Sequence, residues 1–195
     1  MRPARTAAVA TAAVALSLLP VQPAMATAGR AVDTRAVATV DRDGAVRTDS
    51  DLDAATGPGP VSAATNISVA YARCTGCRAL AVSFQVVLVR RLPADLAPTN
   101  LAVAVTDRCR RCEALSWAYQ WVVVTGTDRQ LSPSGRRRLH LIDRTLRSVV
   151  RSAPPAAQLD SRVAGLAAQV QRLLATDIRT QPAPGPRITA ARARR

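Results

Sequence analysis

Four cysteines in two C-x-x-C pairs are the residues of this chain best suited to chemistry. The pairs are Cys74 with Cys77 and Cys109 with Cys112. Cysteines at this spacing can bind zinc as two knuckles of a tetrahedral site, carry out thiol–disulfide exchange, or close as structural disulfides. All three interpretations use the same sulfurs, so the surrounding elements must distinguish them.

Structural disulfides are the interpretation that the spacing favours. The ends of a four-residue turn have Cα atoms less than ~7 Å apart, which overlaps the ~4.4–6.8 Å that a disulfide spans. Bridges within each pair would pin one tight turn each. Bridges between the pairs would close a longer loop and restrict the unfolded chain more strongly. Spacing favours the local pairs, and the cross-linked arrangement stays open.

Thiol–disulfide exchange and zinc binding remain as alternatives. A redox pair places its first thiolate at a helix N-terminus, whereas both pairs here lie between predicted strands. Arg110 and Arg111 inside the second pair could lower a cysteine pKa, which keeps the redox interpretation open. Paired C-x-x-C motifs are typical of zinc sites inside a cell, but an exported chain meets oxidising conditions. We therefore expect no cofactor, with zinc as the alternative.

The cysteine pairs lie in two copies of one pattern, residues 66–89 and 100–124. Each copy has an Asn that opens an alternating apolar run, then the C-x-x-C, a Leu, an aromatic-Gln pair and a valine-rich stretch. Apolar residues at a period of two predict a strand on each side of every pair. Each copy is thus predicted to be a β-hairpin. Two adjacent hairpins give a four-stranded antiparallel sheet over residues 63–127.

All aromatic residues of the chain lie inside these copies. Trp117, Tyr119 and Trp121 alternate with small or polar residues, so they share one face of the predicted sheet. They would form either part of the core or a platform that binds glycan or peptide. Aromatic residues make up only 3% of the chain. This scarcity favours the core.

After the second copy the hydrophobic period changes from two to 3.6. Ser132-Pro133 is a helix start signal, and the apolar stripe Leu139–Val150 follows it. Pro154-Pro155 ends that helix, and a second stripe runs over Val163–Leu174. Residues 130–178 are therefore predicted to form a helical hairpin that covers the large-residue face of the sheet. The predicted fold class is α+β, with a free-standing helical hairpin as the alternative.

The N-terminus has the three-part layout of a secretory signal peptide over residues 1–26. Arg2 and Arg5 precede the apolar run Ala7–Leu19, and Ala24-Met25-Ala26 supplies small residues at the cleavage site. The run is too short to span a bilayer. We expect a secreted or envelope-associated protein with no transmembrane segment after cleavage, in a compartment where disulfides persist.

The remaining segments have low-complexity compositions. Residues 27–62 are rich in Ala, Asp, Gly and Pro and are predicted to be a flexible lead-in. Asp43-Gly44 is a hairpin turn signal. An alternative is therefore that residues 36–48 form a third, diverged copy of the strand pair, without cysteines. Residues 179–195 are Pro-rich and then Arg-rich, which predicts a disordered basic tail.

The net charge and the available side chains argue against nucleic-acid binding and against catalysis. The formal net charge is +14, but every basic residue is Arg, and heavy use of Arg, Ala and Val is what a GC-rich genome produces. We therefore expect no specific nucleic-acid binding. His140 is the one histidine, and no nucleophile–base pair or phosphate loop accompanies it. We predict no catalytic residues and expect a non-enzymatic structural or interaction module whose partner is an unknown protein or envelope component.

The twin N-x-x-[VA]-A…C-x-x-C…Q-x-V pattern resembles a repeat region of exported actinobacterial proteins. It covers residues 66–124, and some such proteins are labelled peptide zinc metalloproteases. The resemblance implies export and a cell-envelope setting. It does not imply protease activity here, because the chain has no H-E-x-x-H motif and a single imidazole cannot build that zinc site.

Overall fold

A computed structural model describes residues 30–55, 61–91, 96–126, 130–178 and 187–194. The predicted signal peptide lies outside these residues. The strands are β1 (Arg30–Val40), β2 (Val46–Ala55), β3 (Val61–Ala72), β4 (Arg78–Val89), β5 (Thr99–Thr106), β6 (Glu113–Val124) and β7 (Arg187–Arg194). The helices are α1 (Pro133–Arg151) and α2 (Ala156–Asp177).

The strands form two sheets that face each other. The three-stranded sheet has the order β1-β3-β5 and is parallel. The four-stranded sheet has the order β2-β4-β6-β7, with β7 antiparallel to its neighbour. The chain passes from the three-stranded to the four-stranded sheet through a tight turn within each of the pairs β1–β2, β3–β4 and β5–β6. We call each pair an arch; the described residues contain three arches, stacked in register.

The predicted four-stranded antiparallel sheet is wrong. An alternating pattern determines which face a side chain takes but does not determine the neighbour with which its strand pairs. Strands of one copy lie in different sheets, and equivalent strands of successive copies pair in parallel. This puts Asn66 beside Asn100 and Gln85 beside Gln120. A hairpin would have left the Ala, Ser and Gln face uncovered, whereas arches bury it between the sheets.

The first arch corrects the predicted flexible lead-in for residues 30–55. Strands β1 and β2 pair with β3 and β4 and not with each other. The extra copy of the strand pair around Asp43-Gly44 is therefore present, but it is not a hairpin. Thr34 pairs with Asn66, and Asp53 pairs with Gln85. Thr34 and Asp53 thus take the positions that the repeated Asn and Gln have in the other two arches. Polar residues, three Asp among them, interrupt the apolar alternation of β2, so its sequence is typical of a flexible segment.

The C-terminal strand β7 corrects the predicted disordered tail for residues 187–194. Its backbone pairs with β6, whose edge would otherwise leave its N–H and C=O groups unpaired. Asn100 Nδ2 donates a hydrogen bond to Thr189 O at 2.8 Å. Arg192 forms an ion pair with Asp160 of α2, with 3.0 Å between nitrogen and oxygen. Residues 179–186 and 195 lie outside the described residues.

The main core lies between the four-stranded sheet and the helices. The Phe84 ring meets the rings of Tyr119 and Trp121 edge to face, with centroids 5.2 and 5.4 Å apart. Trp117 and Trp121 are each 1% exposed. The sequence favoured the core for these aromatics, and the alternative of a binding platform is wrong, because α1 and α2 cover that face of the sheet.

The two helices are joined at one end by a shared cap. Ser132 caps α1, the arrangement that its Ser-Pro pair predicts, and its Oγ accepts a hydrogen bond from Gly135 N. Asp177, the last residue of α2, accepts a hydrogen bond from Ser132 N at 2.8 Å. A carboxylate is favourable at this helix N-terminus. Within the described residues, neither helix is long and apolar enough to span a bilayer.

Gly135→Ala should destabilise the protein, because a Cβ at this position would collide with the Asp177 carboxylate. The carboxylate would have to move away and give up its hydrogen bond from Ser132 N, so we expect a loss of about 0.5–2 kcal/mol in the free energy of unfolding, the range for a lost helix cap. Urea denaturation checks this value. The matched control is Gly165→Ala in α2, where nothing lies within 4 Å of the added Cβ. It should gain about 0.5–1 kcal/mol from helix propensity, and equal effects at both sites would contradict the prediction.

Candidate functional site

The three turns of the arches stack at one end of the molecule. They span residues 41–45, 73–77 and 107–112. Each turn has a left-handed residue just before its last position: Gly44, Gly76 and Arg111, with φ of 67°, 65° and 52°. This conformation reverses the chain from one sheet to the other, and in the first two turns it suits glycine, which lacks the Cβ that clashes there.

Hydrogen bonds join each turn to the next. Gly44 N donates to Thr75 O at 2.9 Å, and Gly76 N donates to Arg110 O at 2.8 Å. Thr75 N donates to the Asp43 carboxylate at 2.7 Å. Because these bonds continue the sheet ladders into the turns, the turns are held at a fixed spacing.

This stacking brings the two C-x-x-C pairs together. The Cα atoms are 6.0 Å apart both in the Cys74/Cys77 pair and in the Cys109/Cys112 pair. Each pair is close enough to be compatible with a local disulfide bond. The sulfurs of Cys77, Cys109 and Cys112 all lie within 4.8 Å of one another. The structure therefore collects the predicted cysteine sites into one cluster.

The cluster is more enclosed on the side of the middle arch. Cys77 is fully buried and Cys74 is 7% exposed, whereas Cys109 and Cys112 are half-buried. The first turn has no cysteines. It lies over one side of the cluster and covers that side with backbone. The third turn borders solvent.

Arginines surround the cysteine end of the molecule, and they include Arg110 and Arg111 of the second pair. Arg78 donates to Glu113 at 2.7 Å and to the carbonyl oxygens of Ala153 and Pro154 in the α1–α2 connection. It thereby ties the turn end of the four-stranded sheet to the helices. The remaining arginines of these turns are exposed: Arg42, Arg73, Arg108, Arg110 and Arg111.

No protein-family model, curated protein or solved structure matches this chain. Its function has to be argued from geometry. The resemblance to exported actinobacterial repeat proteins stays a prediction. His140 is exposed on α1, and none of the hydrogen bonds among the described residues joins it to a hydroxyl or a carboxylate.

A belt of buried amides ties the two sheets together. Gln85 Nε2 donates to the carbonyl oxygens of Val32 and Thr65 at 3.0 and 2.9 Å. Gln120 Nε2 donates to Gln85 Oε1 at 2.7 Å. These glutamines are structural, since their polar atoms serve the backbone of the facing sheet. The repeated aromatic-Gln pair was the sequence signal, but only the stacking reveals its role.

A second belt is formed by the repeated asparagines. Asn66 Nδ2 donates to Asn100 Oδ1 at 2.8 Å and to Tyr119 O at 3.0 Å. Asn66 is fully buried. Like the glutamines, it links equivalent positions of neighbouring arches and also crosses to the other sheet.

Acidic side chains of β2 cover the free edge of the three-stranded sheet. Val37 N donates to the Asp49 carboxylate at 2.7 Å, and Arg35 N lies 3.4 Å from the Asp51 carboxylate. Burial raises the pKa of Asp51, and the charges of Asp53 and Asp49 raise it further. Sequence reasoning missed this edge because residues 27–62 were expected to be flexible.

Asp51→Asn should stabilise the protein at neutral pH. A raised folded-state pKa means that folding disfavours the ionised carboxylate, so the penalty is present above the folded pKa and vanishes below the unfolded value near 3.9. The amide keeps an oxygen for Arg35 N. We expect the variant to melt above the wild type at pH 7 and the two melting temperatures to converge as the pH falls to 3.5. A difference that grows on acidification would contradict this sign.

The outer face of the three-stranded sheet is an apolar surface that the described elements leave uncovered. Leu101 and Val105 of β5 are 46% and 39% exposed. Beside them on β3 lie the half-buried Ile67 and Tyr71. The helices cover the outer face of the four-stranded sheet. The two sheets therefore differ in exposure, with the outer face of the three-stranded sheet open to solvent.

Proposed function

We propose that this chain is an exported, non-enzymatic structural or interaction module, with one disulfide in each C-x-x-C turn. The observation that carries the proposal is the stacking of the two turns in register, with both cysteine pairs compatible with local bridges. Each bridge would close a turn whose backbone already bonds to its neighbours. This arrangement favours a stabilising role.

The redox alternative has weaker support. A reactive C-x-x-C needs an accessible thiolate, stabilised by a helix N-terminus or nearby positive charge. Both pairs lie between strands, and Cys77 is fully buried. Only the half-buried Cys109 and Cys112, beside Arg110 and Arg111, meet part of this requirement.

Export is supported by the signal-peptide pattern of residues 1–26 and by the repeat resemblance. Disulfides persist in the compartments to which such a leader directs a chain. The interaction role is supported by the outer face of the three-stranded sheet, around Leu101 and Val105. A protein or envelope component with an apolar surface of its own would suit it.

Alkylation of the native protein, followed by peptide mapping, tests the proposal. We expect no cysteine to be alkylated before reduction, with bridges Cys74–Cys77 and Cys109–Cys112. Replacing either pair with Ala should lower the free energy of unfolding by about 1.9 kcal/mol, the chain-entropy value for a four-residue loop. Native thiols that react, or catalysed reduction of insulin that is lost in the Cys109→Ala variant, would contradict the proposal.

A further inference from the structure

The cysteine cluster has the composition of a metal site as well as that of a pair of disulfides. Three of its sulfurs, from Cys77, Cys109 and Cys112, lie within 4.8 Å of one another. The fourth belongs to Cys74, in the same turn as Cys77, with 6.0 Å between the Cα atoms. Four sulfurs from two stacked turns are the donor set of a structural zinc site.

The spacing of the turns matches what such a site needs. Zinc–thiolate bonds of ~2.3 Å place tetrahedral sulfurs ~3.8 Å apart. Stacked parallel strands are ~4.8 Å apart, so equivalent cysteines of the two turns start within about 1 Å of that separation. The bridge between Thr75 and Arg110 and the hydrogen bond from Glu113 N to Cys77 O fix the turns on both sides. Cys74 Sγ lies 3.4 Å from Val40 O and outside the three-sulfur cluster, so the Cys74 side chain would have to turn toward the third arch to complete the tetrahedron.

Charge also favours an ion at this position. Four thiolates around Zn²⁺ carry a net charge of −2, which must be compensated near a protein surface. The exposed side chains of Arg108, Arg110 and Arg111 lie in the turn that supplies Cys109 and Cys112. They would offset the site's charge.

We propose that, in the reduced chain, Cys74, Cys77, Cys109 and Cys112 together bind one Zn²⁺ ion in a tetrahedral S4 site. This goes beyond the proposed disulfide-stabilised module, because it assigns the same sulfurs a second, mutually exclusive state. Forming both disulfides transfers four electrons and four protons from the four thiols to two molecules of a disulfide oxidant, which become dithiols, so the oxidised cluster has no thiolate left for the metal. The ion and the bridges are therefore alternative ways to hold the two turns together.

Cobalt titration of the full chain, reduced with a phosphine under argon, tests the site. We expect one Co²⁺ per chain, with the charge-transfer and tetrahedral ligand-field bands of four thiolates, and displacement by Zn²⁺. The oxidised chain is the matched control and should bind none. No uptake, two ions per chain with two thiolates each, or equal uptake by the oxidised chain would overturn the proposal, whether or not the disulfides form in the exported protein.

Two variants at one position separate ligation from folding. Cys112→Ser should weaken cobalt binding by more than about 100-fold, the upper end of what loss of an outer-shell partner costs. Cys112→His keeps a ligand and should still bind one ion, with the weaker charge transfer of three thiolates. Circular dichroism of each reduced protein with and without Zn²⁺ records its fold. If both variants bind like the wild type, Cys112 is not a ligand and the S4 site is refuted.

Discussion

Trp117→Ala should lower the free energy of unfolding by about 3–5 kcal/mol, the range for removing a buried aromatic side chain. The indole is 1% exposed and lies among the residues that join the four-stranded sheet to both helices. Its Nε1 donates to Asp160 of α2 at 3.1 Å. Truncation would leave a large cavity and an unpaired carboxylate oxygen at the same time.

Urea denaturation followed by far-ultraviolet circular dichroism measures this effect, because the chain's two tryptophans make fluorescence change with the variant. The free energy of unfolding of Trp117→Phe should lie between those of the wild type and of Trp117→Ala. The control is Leu101→Ala on the uncovered sheet face, where we expect a change within about 0.5 kcal/mol. A small loss for Trp117→Ala would mean that the ring is a surface feature and not part of the core.

Gln85→Leu is expected to cost about 2–4 kcal/mol, although it conserves volume and adds apolar surface. The change removes the side-chain donor that serves the carbonyl oxygens of Val32 and Thr65 between the sheets. It also takes the Gln85 Oε1 acceptor away from the Gln120 amide, which keeps its hydrogen bonds to Ala64 O and Thr99 O. Each buried polar group that loses its hydrogen bond costs about 1–3 kcal/mol. Chemical denaturation of the purified variant gives the value.

A double-mutant cycle with Gln120→Leu identifies the cause. Because each glutamine is a partner of the other, the double variant should lose less stability than the sum of the single losses. Gln169→Leu on the exposed face of α2 is the matched control and should change stability little. Strictly additive losses would show that the two amides do not act as a ladder.

Local features of the fold were predictable from the sequence, whereas strand partners were not. Period-two alternation located β3 to β6, and Ser132-Pro133 located the start of α1, because side-chain direction and capping are local properties. Pairing depends on which distant strand offers a matching edge, and no local pattern contains that information. The spacing that is shared from Cys77 to Gln85 and from Cys112 to Gln120 was the clue to stacking, since only parallel, in-register neighbours place like residues together.

The residues of the candidate site were predictable from the sequence, but their arrangement in space was not. The four cysteines and the arginines of their turns are evident in the sequence. Their convergence is not, because it depends on arches that turn at one end of the molecule. Most of β2 and all of β7 were missed because edge strands rich in polar residues are indistinguishable from flexible segments by periodicity alone. Part of β1 was anticipated, as one strand of a possible extra copy over residues 36–48.

The carboxylates on the β1 edge also determine how far the stack can extend. Identical residues in parallel register form the ladders of amyloid fibrils, which lengthen by adding molecules at an open edge. Here Asp49 and Asp51 already occupy the backbone donors of Val37 and Arg35, and their negative charge would oppose an incoming strand. Growth of a filament by strand addition at the β1 edge is thereby disfavoured.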